Sequence, residues 1–268
     1  MLQLALIPPV SMLHHTVTRE LQMCIPEGLD NYEMYRRHYK YLGQHPGCYV
    51  ILDNGMFESG EYMGDFDLLQ FAKDYKVDEI VMPDVRGRSE DTLEAQRHFM
   101  RIFHQAYGMT PPSKTPNLMS VIQGYDVMAA KEHVMKVADS WAVEMVRGRC
   151  GKVVFGLPRR MSEDTNRDAR VDLIEFIVSN FGVMFPIHLL GLSRANPREV
   201  QYVGKEYGSY VRGVDTSAPF VWTSQNKHLD AGDIADREGN YFGLHASRFP
   251  GPLLKHNIET LEGWCRGE

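Results

Sequence analysis

Short apolar runs alternate with longer amphipathic stretches along almost the whole chain, and most of the runs stop on a glycine or on a side chain able to do chemistry. The runs are residues 2–7 (LQLALI), 48–52 (CYVIL), 79–82, 117–122, 153–155, 187–190 and 210–214. Between them, residues 31–44, 65–75, 89–107, 127–143, 162–180 and 197–207 carry helical spacing, and 252–264 reads as a last helix. Asp65 and Ser162 stand where helix caps belong, and Pro197 falls in a first helical turn. A unit recurring every ~30–40 residues in this way is what βαβ connections produce. The runs are apolar along their length, as strands are when helices cover one face and a barrel interior the other. Residues 241–245 (YFGLH) are the candidate for an eighth strand, and the polar segment 223–240 before them reads as loop. The expectation is an α/β TIM (β/α)8 barrel, one catalytic domain over residues 1–268, irregular at its eighth strand. An open doubly wound sheet is the alternative, but neither a GxGxxG nor a P-loop stands where such a sheet would need one.

Composition narrows the setting. Apolar residues make up 43% of 268, enough for one large core, and no Ser/Gly-rich or Pro-rich linker divides the chain. The apolar runs are far too short to cross a bilayer, and no basic segment followed by an apolar stretch and a cleavage site opens the sequence. No membrane partner and no secretion are expected. Cys24, Cys48, Cys150 and Cys265 are scattered without a CxxC pair, which suits reduced thiols in a cytoplasm. A net charge of -6 argues against a generally basic nucleic-acid coat, although local arginine clusters still create a field at a cleft.

The ends of the runs carry the functional signal: Asp53, Asp84, Gln123, Gly156, Gly191 and Asp215. Taken singly, each suits a turn, and Asp215 suits a cap. In a parallel barrel, however, such ends meet around one mouth, where a pocket forms. Two carboxylates in different environments can divide the work of base and nucleophile, a role open to Asp53 and Asp215. Asp84 and Gln123 can read the edge of a planar heterocycle, since an amide both donates and accepts. Gly124 and Gly156 would leave room for a flat ring, and Phe57 is placed to stack on it. His188, inside its run, reads as a core histidine. Metal binding by the three aspartates is the rival account, disfavoured because no histidine ends a strand beside them, so neither metal nor cofactor is expected. Arg86 and Arg88 after the third run, Arg159 and Arg160 after the fifth, and Arg194 and Arg198 after the sixth could meet phosphates or be solvated surface charge.

In order along the chain, Asp53-Asn54-Gly55-Met56-Phe57, Pro83-Asp84, Val121-Ile122-Gln123-Gly124, Phe155-Gly156-Leu157, His188-Leu189-Leu190-Gly191 and Gly213-Val214-Asp215 resemble the motifs of the queuine/archaeosine tRNA-guanine transglycosylases. They resemble still more the related 7-deazaguanine DNA transglycosylases (DpdA type) of phages and bacterial islands. The resemblance implies a TIM barrel that exchanges guanine in DNA for a 7-deazaguanine such as preQ0, without cofactor or metal. By position it implies Asp215 as the nucleophile that holds the sugar covalently and Asp53 as the proton-transfer residue. It implies Asp84 and Gln123 as the base-reading pair, Gly156 as a backbone contact, and Phe57 as the stacking aromatic. The tRNA enzymes' Cys-rich zinc module is missing, since only Cys265 lies near that point. Asn54-Gly55-Met56 replaces their Ser-Gly-Gly step, and Tyr125 replaces their second glycine after the glutamine. Loss of that module favours DNA over tRNA, and a partner protein or homo-oligomer is a further expectation for the grip on a polynucleotide.

Overall fold

The computed structural model describes residues 1–56, 63–111, 114–146, 151–161, 168–193, 196–231, 237 and 239–268. Eight strands are all parallel: β1 (Gln3–Leu6), β2 (Leu21–Cys24), β3 (Tyr49–Leu52), β4 (Glu79–Val81), β5 (Asn117–Val121), β6 (Val153–Pro158), β7 (Ile187–Leu190) and β8 (Val211–Thr216). They pair in the order β1-β8-β7-β6-β5-β4-β3-β2. β1 and β2 stand side by side at the two ends of that order without a hydrogen-bonded ladder, so the structure is a nearly closed (β/α)8 barrel. Around it lie α1 (Pro26–Asn31), α2 (Glu33–Leu42), α3 (Asp65–Tyr75), α4 (Ser89–Tyr107), α5 (Val127–Val146), α6 (Ala169–Phe181), α7 (Glu199–Tyr207), α8 (Ala218–Ser224) and α9 (Gly251–Arg266). No helix among the described residues is long and apolar enough to cross a membrane.

All seven expected strands are present, but the eighth is elsewhere. Residues Tyr241–Gly243 form a 3-10 turn, and β2 takes the place in the barrel. β2 escapes an apolar scan because Gln22 interrupts it. That glutamine is fully buried, and its amide donates to the carbonyls of Thr16 (2.7 Å) and Arg19 (2.6 Å), which closes the loop entering the strand. Tyr241, by contrast, sends its hydroxyl to the Ile7 carbonyl, while Phe242 packs edge-on against Tyr35 at 5.5 Å. Its aromatics therefore cover the end of β1 without adding a strand. The first unit is also irregular, since a 3-10 turn (Val10–His15) links β1 to β2 where a helix would be regular. Helix α9 compensates, with the Cys265 carbonyl receiving the Leu2 N–H at 3.4 Å.

Smaller differences concern caps. Asp65 is the first residue of α3, with Gly64 at the cap position; Pro197 precedes α7. Ser162 lies outside the described residues. The expected helix over 31–44 is α2, and the separate helix α1 ends just before it, with Tyr32 between the two in an extended backbone (φ -131, ψ 113).

One irregularity in β8 decides what faces the barrel interior. Ile187 pairs with Val211 but His188 pairs with Gly213, so Arg212 is an extra, bulged residue. Residues three apart on a regular strand point to opposite faces. The bulge turns both Arg212 and Asp215 inward. Arg212 reaches across to Glu79 of β4, which is fully buried and also accepts from the Tyr49 hydroxyl at 2.8 Å. That cluster floors the barrel. Gly213 is needed above it, because a Cβ there would stand 2.5 Å from the Gln3 carbonyl oxygen and 2.9 Å from the Leu21 side chain.

Candidate active site

The carboxyl ends of the strands surround a cavity of about 600 Å³ whose wall includes Asp53, Asp84, Gln123, Gly124, Gly191 and Asp215. Arg86, Arg159 and Arg160 stand on the same wall. Residues from separate βα units thus meet at one hollow, as the alternating pattern of the chain predicts. Gly156 does not reach it. Strand β6 runs on to Pro158, so Gly156 is buried before the rim. A Cβ there would lie 2.8 Å from Met119 Sδ and 2.9 Å from Leu190 Cδ1, and its carbonyl accepts from the Ile122 N–H at 2.9 Å. The expected end of that strand at Phe155, with bare backbone at Gly156 for a ring, is therefore corrected. Gly124 does line the cavity, but its lack of a side chain serves α5, since a Cβ would sit 2.5 Å from the Ala130 nitrogen.

Asp215 is 7% exposed, and among the described residues both hydrogen bonds to its carboxylate fall on Oδ1. His188 Nε2 lies 3.1 Å away, and the Gly191 N–H donates at 3.4 Å. His188 is completely buried, and burial holds its imidazole below the ordinary value in spite of Asp215. A neutral ring with its proton on Nε2 is thus a donor that orients the carboxylate. Its Nδ1 has no hydrogen-bond partner among the described residues. Gly191 adopts a positive φ of 76°, which suits glycine and aims its N–H at the carboxylate. Arg170 of α6 fixes this corner: it pairs with Glu199 of α7 at 2.8 Å and donates to the Gly191 carbonyl, also at 2.8 Å. Both charged side chains are fully buried.

On another part of the wall Asp84, Gln123 and Asn54 form a tight amide–carboxylate group. Asn54 donates to Asp84 Oδ1 at 2.7 Å, and Gln123 Nε2 donates to Oδ2 at 2.6 Å. The Gln123 carbonyl in turn accepts from the Gly87 N–H at 2.9 Å. Burial pushes the Asp84 carboxyl above the usual carboxylate range, and the two amide donors pull against that. Each carboxylate oxygen keeps a second lone pair and the Gln123 amide a second proton, so the group can still bind the donor–acceptor edge of a flat ligand. His133 of α5 backs the site, its Nδ1 lying 3.0 Å from the Gln123 nitrogen. Asp53 is half-buried and accepts from the Gly55 N–H at 3.3 Å.

Two expected arginines are elsewhere. Arg88 pairs with Asp91 on the surface at the start of α4, away from the cavity wall. Arg198 sits over the Trp264 ring at 6.0 Å, packing α7 on α9. Phe57 and Arg194 lie outside the described residues. The wall also holds residues that the sequence did not single out: Met23 and Ile25 around the unforeseen β2, Trp222 of α8, and Arg237. Asn54 had a signal, standing next to Asp53, but a DNG triplet reads first as a turn. Trp222 had none. Asp53, Asp84 and Asp215 do not form a group whose donor atoms could share one metal ion, judged among the described residues.

A scan of the chain against protein-family models returned no match, and a search of curated proteins returned none either. The functional reading therefore rests on the resemblance of the ordered motifs and on the geometry of their residues.

Proposed function

We propose that this chain is a base-exchanging transglycosylase, replacing guanine in DNA with a 7-deazaguanine of the preQ0 type through a covalent aspartyl-sugar intermediate. The observation that carries the reading is the meeting of Asp53, Asp84, Gln123 and Asp215 on one cavity at the carboxyl ends of the strands. In this mechanism Asp215 attacks the sugar carbon with its second oxygen, since its two donors hold Oδ1. The bond from that carbon to guanine breaks, the electron pair leaves on the base nitrogen, and Asp53 supplies the proton. The incoming deazaguanine then gives its ring proton to Asp53, attacks the same carbon and releases Asp215. Two successive inversions, Asp215 attacking from one face of the sugar carbon and the incoming base from the other, retain configuration, as in retaining glycosidases. Asp84 and Gln123 read the base edge, with Asp84 facing its N–H groups and the Gln123 amide its oxygen. Arg86, Arg159 and Arg160 at the mouth meet phosphates. A base paired in a duplex has to be flipped out first to reach the cavity.

Incubation with radiolabelled guanine and either DNA or tRNA tests the proposal. Label in DNA is the expected result. Label in tRNA would reassign the polynucleotide, and base binding without label in either would make the chain a non-catalytic nucleobase-binding barrel. Asp215→Asn should lower exchange on the order of 10⁴-fold or more while free-base binding persists. Undiminished exchange in that variant would remove Asp215 from the nucleophile role.

A further inference from the structure

Away from the cavity, His228, Asp230 and His256 each offer a donor atom, and these atoms lie within 4.8 Å of one another. Among the described residues this is the group of His, Cys, Asp and Glu side chains assembled closely enough to share an ion. The two imidazoles meet edge to face, with centroids 4.7 Å apart and planes at 78°. One comes from the segment after α8, the other from α9.

The backbone beneath them is fixed by a single buried residue. Asn257, fully buried and next to His256, accepts from the Leu229 N–H at 2.8 Å. Its amide donates to the Lys227 carbonyl and to Thr223 Oγ1, each at 3.0 Å. Both neighbours of His228 are thus tied to the neighbour of His256, and Leu229 is itself fully buried. The backbone positions of the two histidines are thus tied to one another before any ion arrives. A tetrahedral zinc site with Zn–N near ~2.0–2.1 Å needs donor atoms roughly 3.4 Å apart, a contraction that side-chain rotation can supply.

We propose that His228, Asp230 and His256 form a divalent metal site that takes zinc and staples the segment after α8 to α9. Two imidazole nitrogens and one carboxylate oxygen are a donor set suited to zinc, with a fourth position for water. Lys255, beside His256, is engaged with Glu259 at 3.7 Å, which moderates the nearby positive charge. The site is separate from the proposed exchange chemistry and stands or falls apart from it. Such sites commonly stabilise a fold by linking elements distant in sequence.

The test uses the untagged, metal-stripped full chain titrated with Co²⁺ and then Zn²⁺. The expected result is one equivalent of Co²⁺ with the visible absorption of a four- or five-coordinate site. Zinc should displace it and raise the melting temperature, and EDTA should reverse that rise. His228→Ala and His256→Ala should each lose this equivalent while melting like the parent chain in EDTA. Metal uptake by the double variant equal to that of the parent would overturn the proposal, as would no uptake by the parent at all.

Discussion

Asp215 is built to present one oxygen. A carboxylate at the end of a strand is common, but here a buried imidazole and the N–H of a glycine with positive φ both bind Oδ1. His188→Leu should therefore lower kcat for base exchange by ~10–100-fold, with KM nearly unchanged. His188→Gln, which keeps a donor, should recover part of kcat. A kcat equal to the parent's in the leucine variant would reduce the histidine to packing. Reading His188 as a core residue is correct about burial but incomplete, because sequence alone does not reveal that Gly156 and Gly213 flank it in the sheet register and leave space around the ring.

At the scale of elements, the continuous apolar runs were legible because helices and barrel interior cover both faces, so strands need no alternation. β2 was not, since a buried glutamine whose amide donates to its own entry loop looks like a surface residue. Residues 241–245 misled in the opposite direction: aromatics favour strands but here fill the rim of β1 from a 3-10 turn. The rim carboxylates were legible because they directly follow apolar runs. Gly156 was misplaced because β6 tolerates Gly-Leu-Pro at its end, a sequence that normally marks a turn. Long-range partners such as Arg170 and Glu199 leave no local trace. Their pair joins α6 to α7 and holds the Gly191 carbonyl. Arg170→Met strands a buried carboxylate and should cost about 3–5 kcal/mol in chemical denaturation. Adding Glu199→Met should recover most of that loss. If the double variant were no more stable than the single one, the arginine would be acting through its carbonyl contacts instead.

The whole molecule combines an ion-paired floor, Glu79 with Arg212, and a polar mouth in one barrel, so much of its titration is buried. His133 is the clearest case: it is 1% exposed, and burial lowers its pKa from 6.5 to about 4. Its folded-state value lies below the unfolded one, so between them the unfolded chain binds more protons. The stabilising contribution is full above pH 6.5 and is lost as pH falls toward about 4. Asp84 and Asp65, both raised by burial, act in the opposite sense, gaining stability as they protonate. The net slope of the parent protein mixes these effects, but a comparison of variants isolates one. His133→Gln keeps an acceptor for the Gln123 N–H and removes the titration. Between pH 7.5 and pH 5 the parent should lose on the order of 1–2 kcal/mol more stability than the variant, read from denaturant midpoints. The aspartates are common to both proteins and cancel in the difference. Parallel losses would mean that the imidazole charges freely in the folded barrel. A real difference would tie acid sensitivity to the helix that backs Gln123, so that base reading and fold stability would fail over the same pH range.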